Sequence, residues 1–173
     1  RLMLQIRPTD VIDEERMSRV LLAQRTIRER FRLPMTEAQA VSAIRAGIMA
    51  ETAIRGCRAV FDEEMARCIG EAARVLTEGA RQGMLLCGMF GNGKSTMMRA
   101  VCAVIVECGM RDSYGEHIVP RHVDARDVAR ILKDDYNLYK KVRNCAVLAI
   151  DDLGTEPREV LDFGTPLSPM AEL

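Results

Sequence analysis

A glycine-rich stretch in the middle of the chain constrains its fold more than any other segment. It reads MLLCGMFGNGKS at positions 84–95. An apolar run too short for a helix leads into the glycines, and a long apolar helix pattern follows. Gly88, Gly93, Lys94 and Ser95 satisfy G-x-x-x-x-G-K-[ST], the pattern of a phosphate-binding loop. The context that this motif requires, a strand before it and a helix after it, is also predicted here.

The chemistry of phosphate binding explains why these residue types recur at this spacing. Glycines let the chain wrap closely around a phosphate, because a Cβ would block the approach or the positive φ that it needs. Backbone N–H groups from about Gly91 to Ser95 would lie at the positive end of the following helix. Lys94 would reach the β- and γ-phosphates, and the Ser95 hydroxyl would bind magnesium. The alternative interpretation is a glycine-rich turn with an incidental lysine.

A second acidic motif follows a later apolar run. Cys145–Ile150 is predicted to be a buried strand, and it ends in Asp151 and Asp152. Such a Walker B arrangement places carboxylates at the carboxyl edge of a parallel sheet, where α/β proteins bind ligands. We predict that Ser95 binds magnesium and that Asp151 holds it through a water molecule, while Asp152 orients or deprotonates an attacking water. A strand followed by two aspartates is also compatible with a simple cap of the strand end.

These motifs give the full set of predicted site residues. The predicted catalytic residues are Lys94 and Asp152, and the predicted metal ligands are Ser95 and Asp151. Nucleotide binding is assigned to Gly88, Phe90, Gly91, Asn92, Gly93, Lys94, Ser95 and Thr96.

Residues 1–79 are predicted to form a helical N-terminal region. Asp10 would cap a first helix, which buries a stripe of Met17, Val20, Leu21, Ile27 and Phe31 and ends at Leu33-Pro34. Thr36 and Gln39 form a capping box for a second helix that runs to about Arg55 and stops at Gly56. Asp62 would cap a third helix carrying Met65, Ile69, Ala72 and Leu76, and Gly79 would end it.

Residues 80–173 are predicted to form an α/β core. The predicted elements are a strand at Met84–Cys87, a helix at Lys94–Cys108, an edge strand at Ile118–Val123, a short helix capped by Asp124, and the strand Cys145–Ile150. This alternation is typical of a parallel sheet with right-handed crossovers. After it, Val160, Leu161, Phe163 and Leu167 are compatible with a covering helix, although Gly164, Pro166 and Pro169 favour a broken one.

Composition restricts the function classes only weakly. The 173 residues carry no net charge, which argues neither for nor against nucleic acid. Tyr136 and Tyr139 lie among basic residues, as at a nucleic-acid surface or on a solvated helix with half-buried rings. The six cysteines form no C-x-x-C pair, and Cys108 with two histidines lacks a fourth zinc ligand at standard spacing. With no signal peptide or membrane span in the sequence, we expect a reduced, cytoplasmic protein.

The two motifs together resemble a known family. The loop at 88–95 and the sequence VLAIDDLG at 147–154 are similar to the AAA+ ATPases of the DnaC/IstB type, bacterial helicase loaders and transposase helpers. The ending Asp-Asp-Leu-Gly is the discriminating part of this resemblance, which covers about residues 80–160. It implies a P-loop NTPase core, ATP and Mg²⁺ as ligands, and slow hydrolysis. It also implies a replicative helicase or transposase and single-stranded DNA as partners, with nucleotide-dependent homo-oligomers left open.

The chain departs from the family pattern after Asp152. The family's next strand carries a sensor residue and lies between the strands predicted at 84–87 and 145–150, and later segments supply an arginine finger. Since the sequence stops at Leu173, we expect either a fragment of a longer protein with an incomplete sheet or direct pairing of these two strands in a different topology. We favour the fragment, and we expect nucleotide binding with little turnover. An arginine finger contributes about a thousandfold or more to the rate.

Two other functions remain open on the sequence. One is a small-molecule kinase that uses the same loop, although such kinases usually have an arginine-rich lid and the Asp-Asp-Leu-Gly ending speaks against this class. The other is a non-catalytic module that binds a partner through residues 1–79 and keeps a vestigial nucleotide site. Stimulation of ATP loss by single-stranded DNA, phosphate transfer to a small acceptor, and partner binding unaffected by Lys94→Ala distinguish the three. The choice between adenine and guanine rests on the resemblance alone.

Overall fold

The computed structural model describes residues 13–23, 31–79, 83–112, 115–157, 159–162, 165–168 and 170. The chain divides into two compact units, residues 1–30 and residues 31–173. Each unit is described by itself.

One helix, α1, spans Glu14–Ala23 in the first unit. Asp13 begins it, because its carboxylate accepts a hydrogen bond from the Arg16 backbone N–H at 3.0 Å. The predicted cap Asp10 and the predicted continuation through residues 24–30 lie outside the described residues.

Three helices form the main core of the second unit: α2 at Glu37–Ala53, α3 at Glu63–Glu78 and α4 at Lys94–Glu107. The capping box predicted for α2 is confirmed. Gln39 N–H donates to Thr36 Oγ1 at 3.3 Å, and Thr36 N–H donates to Gln39 Oε1 at 2.9 Å. α2 ends two residues before the predicted Arg55.

The predicted ends of α3 and α4 are also confirmed. The Asp62 carboxylate accepts from the Met65 N–H at 2.8 Å, and Gly79 ends α3 in the left-handed conformation with φ 62°. α4 begins at Lys94, as predicted, and its last helical residue is followed by Cys108 as the C-cap. These ends are fixed by hydrogen bonds between residues close in sequence, which is why the pattern identifies them.

α2 packs against both α3 and α4, and the three helices share one core. Ile44 of α2, Ile69 of α3 and Ile105 of α4 are almost completely inaccessible to solvent. α2 and α4 approach closely at Gly47 of α2, where a Cβ would lie 3.0 Å from the Cβ of Ala100 and 3.1 Å from its carbonyl oxygen. The helices of the predicted N-terminal region that follow Phe31 therefore share one hydrophobic core with the helix that begins at the phosphate-binding loop.

A parallel pair of strands forms the second part of this unit. β1 spans Arg121–Asp124 and β2 spans Leu148–Asp151, and they pair in parallel with Asp124 opposite Asp151. Between them run α5 at Ala125–Asp134 and α6 at Tyr136–Arg143. The predicted parallel α/β arrangement of these two strands is confirmed, as a small two-stranded sheet in a mixed α/β fold.

A second hydrophobic cluster packs these elements together. Its buried residues are Val123 of β1, Val128 of α5 and Val142 of α6. The predicted cap of α5 is confirmed, since the Asp124 carboxylate accepts from the Arg126 N–H at 2.9 Å. The tyrosines of α6 differ from the expected half-buried pair: Tyr139 is 2% exposed, whereas the stacked ring of Tyr136 is 59% exposed.

The strand predicted at Met84–Cys87 is wrong. Within the described residues this segment has no regular secondary structure and forms no ladder with another strand, and Leu85 is 69% exposed. Leu86 alone of the four residues packs against the main core. An apolar run becomes a strand only if a neighbouring strand supplies hydrogen bonds, and β2 pairs with β1 instead. We expected Cys145–Ile150 to form a buried strand, but β2 is only half-buried.

The covering helix predicted after residue 160 is also wrong. Val160–Asp162 forms β3, Thr165–Leu167 forms β4, and the two strands pair in antiparallel fashion. A two-residue separation between short strands is typical of a hairpin. Pro166 has no N–H to continue a helix but is tolerated in an edge strand.

The structure shows the state of each cysteine and the length of each described helix. All six cysteines lie in the described part of the chain, and all six are free thiols. Burial raises the pKa of the Cys102, Cys108 and Cys145 thiols, which keeps them neutral near pH 7. None of the helices that the structure describes has both the length and the apolar character needed to span a lipid bilayer.

The close approach of α2 and α4 predicts opposite effects for one substitution at two sites. Gly47→Ala should lower the free energy of unfolding by about 1–3 kcal/mol, because the added methyl meets the backbone of Ala100. Gly70→Ala in α3, where nothing lies within 4 Å of the added Cβ, should raise it by about 0.5–1 kcal/mol. Urea unfolding of both variants measures this difference. Equal effects at the two positions would contradict the proposed packing constraint.

Candidate functional site

The glycine loop adopts a backbone conformation that needs glycine at two points. Gly91 has φ 87°, and Gly93, the N-cap residue of α4, has φ 74°. Both values lie in the left-handed region, which other residues rarely occupy. The loop is open to solvent, with Phe90 fully exposed at its tip. The backbone N–H groups at the start of α4 therefore face an accessible concave turn, where helix N-termini bind anions.

Lys94 reaches back across this loop. Its ammonium donates to the carbonyl oxygens of Gly88 at 2.9 Å and Met89 at 2.8 Å. The two bonds connect the first turn of α4 to the residues at which the loop begins. A lysine ammonium has three donors, so one remains for another acceptor in the turn.

Ser95 and Asp151 are brought together from positions far apart in the sequence. The Ser95 hydroxyl donates to Asp151 Oδ1 at 2.9 Å, and both side chains are half-buried. The Asp152 N–H donates to the same carboxylate oxygen at 3.1 Å, while Oδ2 lies 3.8 Å from His122 Nε2. The predicted metal ligands therefore lie side by side, with the acid at the carboxyl end of β2.

Asp152 turns away from this contact. It is the only non-glycine residue with positive φ in the part of the chain that the structure describes, at 52°. Its carbonyl accepts from the Thr155 hydroxyl at 2.7 Å, and its carboxylate lies 3.6 Å from Arg126. Aspartate tolerates the left-handed conformation better than most residues. The predicted catalytic acid is thus exposed and faces the end of β1.

Arg126 connects the ends of the two strands. It donates from Nε and Nη2 to the two carboxylate oxygens of Asp124, at 2.9 and 2.6 Å. These side-chain hydrogen bonds lower the pKa of Asp124 to about 2, and the same pairing raises the pKa of Arg126. The Asp124 carboxylate is therefore ionised at neutral pH.

Thr96 follows Ser95 in α4, and its side chain lies on the opposite side of the helix from that of Lys94. It is the only buried polar residue among those described, at 8% exposed, and its hydroxyl accepts from Arg55 Nη2 at 2.8 Å. The sequence did not identify Arg55, His122 or Arg126 as site residues. Arg126 lies two residues after a predicted cap, so the spacing offered a signal for it. Arg55 is 41 positions from Thr96, and only the packing of α2 on α4 brings it there.

A groove of about 1040 Å³ borders the loop. Met65, Cys68 and Ala72 of α3 line one side, and residues 83–87 line the other. The groove also reaches residues 91–94, so it opens directly on the glycine turn. Its lining combines apolar side chains with the charged face of α3.

The ion pair between Arg126 and Asp124 predicts how the pKa of Asp124 responds when Arg126 is replaced. Arg126→Gln should raise the pKa of Asp124 from about 2 towards its ordinary value of 3.8. The stabilisation from this depressed pKa is present above the unfolded value and is lost as pH falls through about 2. A carboxyl-carbon NMR titration measures the change. Arg130→Gln removes a guanidinium that pairs with Asp127 at 3.1 Å, and it should leave the titration of Asp124 in place.

No family model matches the chain, and neither a curated protein nor a solved structure matches it. What the site binds therefore has to be inferred from its own residues, above all the glycine loop and the contact between Ser95 and Asp151.

Proposed function

We propose that the chain binds a nucleoside triphosphate and Mg²⁺ through the loop at residues 88–95 and through Asp151. The observation that carries this proposal is the 2.9 Å contact between the Ser95 hydroxyl and Asp151 Oδ1. Two adjacent ligands of an octahedral magnesium ion, each about 2.0–2.1 Å from the metal, are themselves about 2.9 Å apart. The two oxygens thus already have the separation needed to share one cation.

The donor set also suits magnesium rather than a metal held by the protein alone. The described residues contain no group of three or more histidine, cysteine or acidic side chains that would form a complete metal site. A hydroxyl and one carboxylate are hard oxygen donors, and Mg²⁺ is commonly bound by one or two protein oxygens with phosphates and waters. When bound, Mg²⁺ neutralises charge on the terminal phosphates.

The remaining loop residues supply the phosphate contacts in this proposal. Backbone N–H groups of the first turn of α4 would bind phosphate oxygens, aided by the helix dipole. Lys94 lies over the loop on two neutral carbonyls, and an anionic phosphate would be a stronger, charge-assisted acceptor for the same ammonium. The groove between α3 and residues 83–87 offers a volume at the upper end of that of small-molecule sites for the nucleoside.

We further propose that the protein is an AAA+-type ATPase of the DnaC/IstB type with a P-loop NTPase core. In this proposal it is a cytoplasmic accessory of helicase loading or transposition. Its partners would be a replicative helicase or transposase, with single-stranded DNA and nucleotide-dependent homo-oligomers as further interactions. ATP, rather than GTP, follows from this family assignment. The parallel pair that ends in Asp124 and Asp151 supports it, because both acids lie at the carboxyl ends of their strands and Asp151 contacts Ser95.

Substitutions in the first turn of α4 test nucleotide binding. Lys94→Ala should weaken the binding of MgATP by roughly a hundredfold, because it removes a charge-assisted contact to the terminal phosphates. Ser95→Ala should reduce the dependence of ATP affinity on Mg²⁺, since one of two protein ligands is lost while Asp151 remains. Isothermal titration calorimetry with and without Mg²⁺ measures both effects.

The exposed Lys133 provides the control for these variants. Lys133→Ala removes the same charge from the end of α5 and should bind MgATP like the wild type. Wild-type affinity in Lys94→Ala, or no binding of any nucleotide by the wild type, would refute the proposed function.

Asp152 is tested separately from binding. Asp152→Asn should leave MgATP affinity unchanged, and it should lower hydrolysis by about 10²–10⁴-fold, the usual contribution of a general base. Phosphate release at saturating MgATP, in a form of the protein with measurable turnover, gives the rate. If the variant hydrolyses ATP at the wild-type rate, Asp152 is not the general base.

A further inference from the structure

The first turn of α4 presents three consecutive side chains in three directions. Lys94 bonds to the loop carbonyls, Ser95 to Asp151 of β2, and Thr96 to Arg55 at the end of α2. Successive residues of an α-helix are about 100° apart around its axis. The three contacts therefore surround the helix terminus, with Arg55 on the far side from Lys94.

Arg55 reaches this position through the packing of its helix. Gly47 of α2 meets Ala100 of α4, and Arg55, two residues past the end of α2, meets Thr96, one turn earlier in α4. The two helices thus run in opposite directions, and the end of α2 lies beside the start of α4. Arg55 Nε donates to the carbonyl oxygen of Glu51 at 3.0 Å, which holds the guanidinium at the helix end.

We propose that Arg55 is a nucleotide-binding residue that contacts the phosphate nearest the nucleoside. This inference rests on the proposed function, because it assumes a phosphate chain at the start of α4. Arg55 would donate to this phosphate while it keeps its bond to the Thr96 hydroxyl, so that α2 and α4 bind the ligand together.

The charge and exposure of Arg55 support a ligand contact beyond its structural bonds. Its side chain is 46% exposed, and its nearest carboxylate, Glu51, is 3.9 Å away. Nε and Nη2 have partners, whereas Nη1 bonds to none of the residues that the structure describes. A guanidinium with donors to spare at a helix N-terminus matches the planar, bidentate geometry of phosphate recognition.

The position of Arg55 determines which phosphate it would contact. Lys94 and the ligands of magnesium act on the β- and γ-phosphates, and both lie on other sides of the helix turn. The phosphate left for the Thr96 side is the one attached to the sugar. Since ATP and ADP both contain it, Arg55 should contribute equally to the two affinities, whereas Lys94 should contribute more to that of ATP.

Calorimetric titration of MgATP and MgADP tests this assignment. Arg55→Ala should weaken both ligands by the same factor, roughly tenfold to hundredfold. Arg55→Lys, which keeps a point charge without the planar fork, should lie between that variant and the wild type. Circular dichroism confirms that each variant is folded.

Two further variants separate a ligand contact from other effects of the substitution. Arg58→Ala removes the same charge from an exposed residue three positions along the chain, and it should bind both nucleotides like the wild type. Thr96→Val removes the hydrogen-bond acceptor but keeps the guanidinium, so it should weaken both ligands less than Arg55→Ala does.

The outcomes distinguish this inference from the proposed function. If Lys94→Ala loses ATP affinity while Arg55→Ala behaves like Arg58→Ala, the role of Arg55 is refuted and the nucleotide site stands. If Thr96→Val and Arg55→Ala lose equal affinity, Arg55 only positions α4 and does not contact phosphate. If the wild type binds no nucleotide, both proposals fail.

Discussion

The burial of α4 against α2 is the interaction on which the rest of the structure depends. At Gly47 the two helices approach so closely that a single added carbon would meet the backbone of Ala100. Such close contact fixes both the distance between the helices and their register. Because α4 carries Lys94 and Ser95 in its first turn, the contacts of these two residues take their positions from this packing. The loop itself is exposed, whereas the helix that follows it is buried. The buried helix therefore determines where the exposed loop lies.

The contact between Ser95 and Asp151 joins two separate hydrophobic clusters. α4 belongs to the cluster formed with α2 and α3, whereas β2 packs mainly in the cluster of Val123, Val128 and Val142. A hydroxyl–carboxylate hydrogen bond contributes only about 1–3 kcal/mol. A divalent cation held between the same oxygens would interact more strongly with the carboxylate than the hydroxyl does. Ligand binding at this point would therefore also stabilise the association of the helical core with the sheet.

Local sequence signals predicted most helix ends, and longer-range pairings explain what they missed. The caps at Thr36, Asp62 and Asp124 are set by residues two or three positions away, so a short window of sequence contains the cause. A strand requires a partner from elsewhere in the chain, and the apolar run at residues 84–87 contains no information about whether one exists. The apolar residues between 160 and 167 were predicted to start a helix but form two short strands. Strand and helix patterns are hard to separate over three or four residues.

The contacts of the candidate site can likewise be divided into those that short motifs predict and those that depend on long-range packing. The glycine loop and the acids after β2 were predicted from motifs, since phosphate and magnesium chemistry requires those residue types in that order. The structure places Ser95 beside Asp151 as that chemistry would need. The approach of Arg55 to Thr96 could not be predicted, because it depends on the crossing point of two helices and on the length of one side chain.

The backbone conformation at Asp152 limits which residue types this position can hold. A φ of 52° is accessible at low cost to glycine, asparagine and aspartate, and it strains β-branched residues severely. Glutamate would keep the negative charge but lacks the short side chain that eases this conformation. The geometry of this turn thus favours glycine, asparagine or aspartate at the position, and of these three residues only aspartate carries a carboxylate.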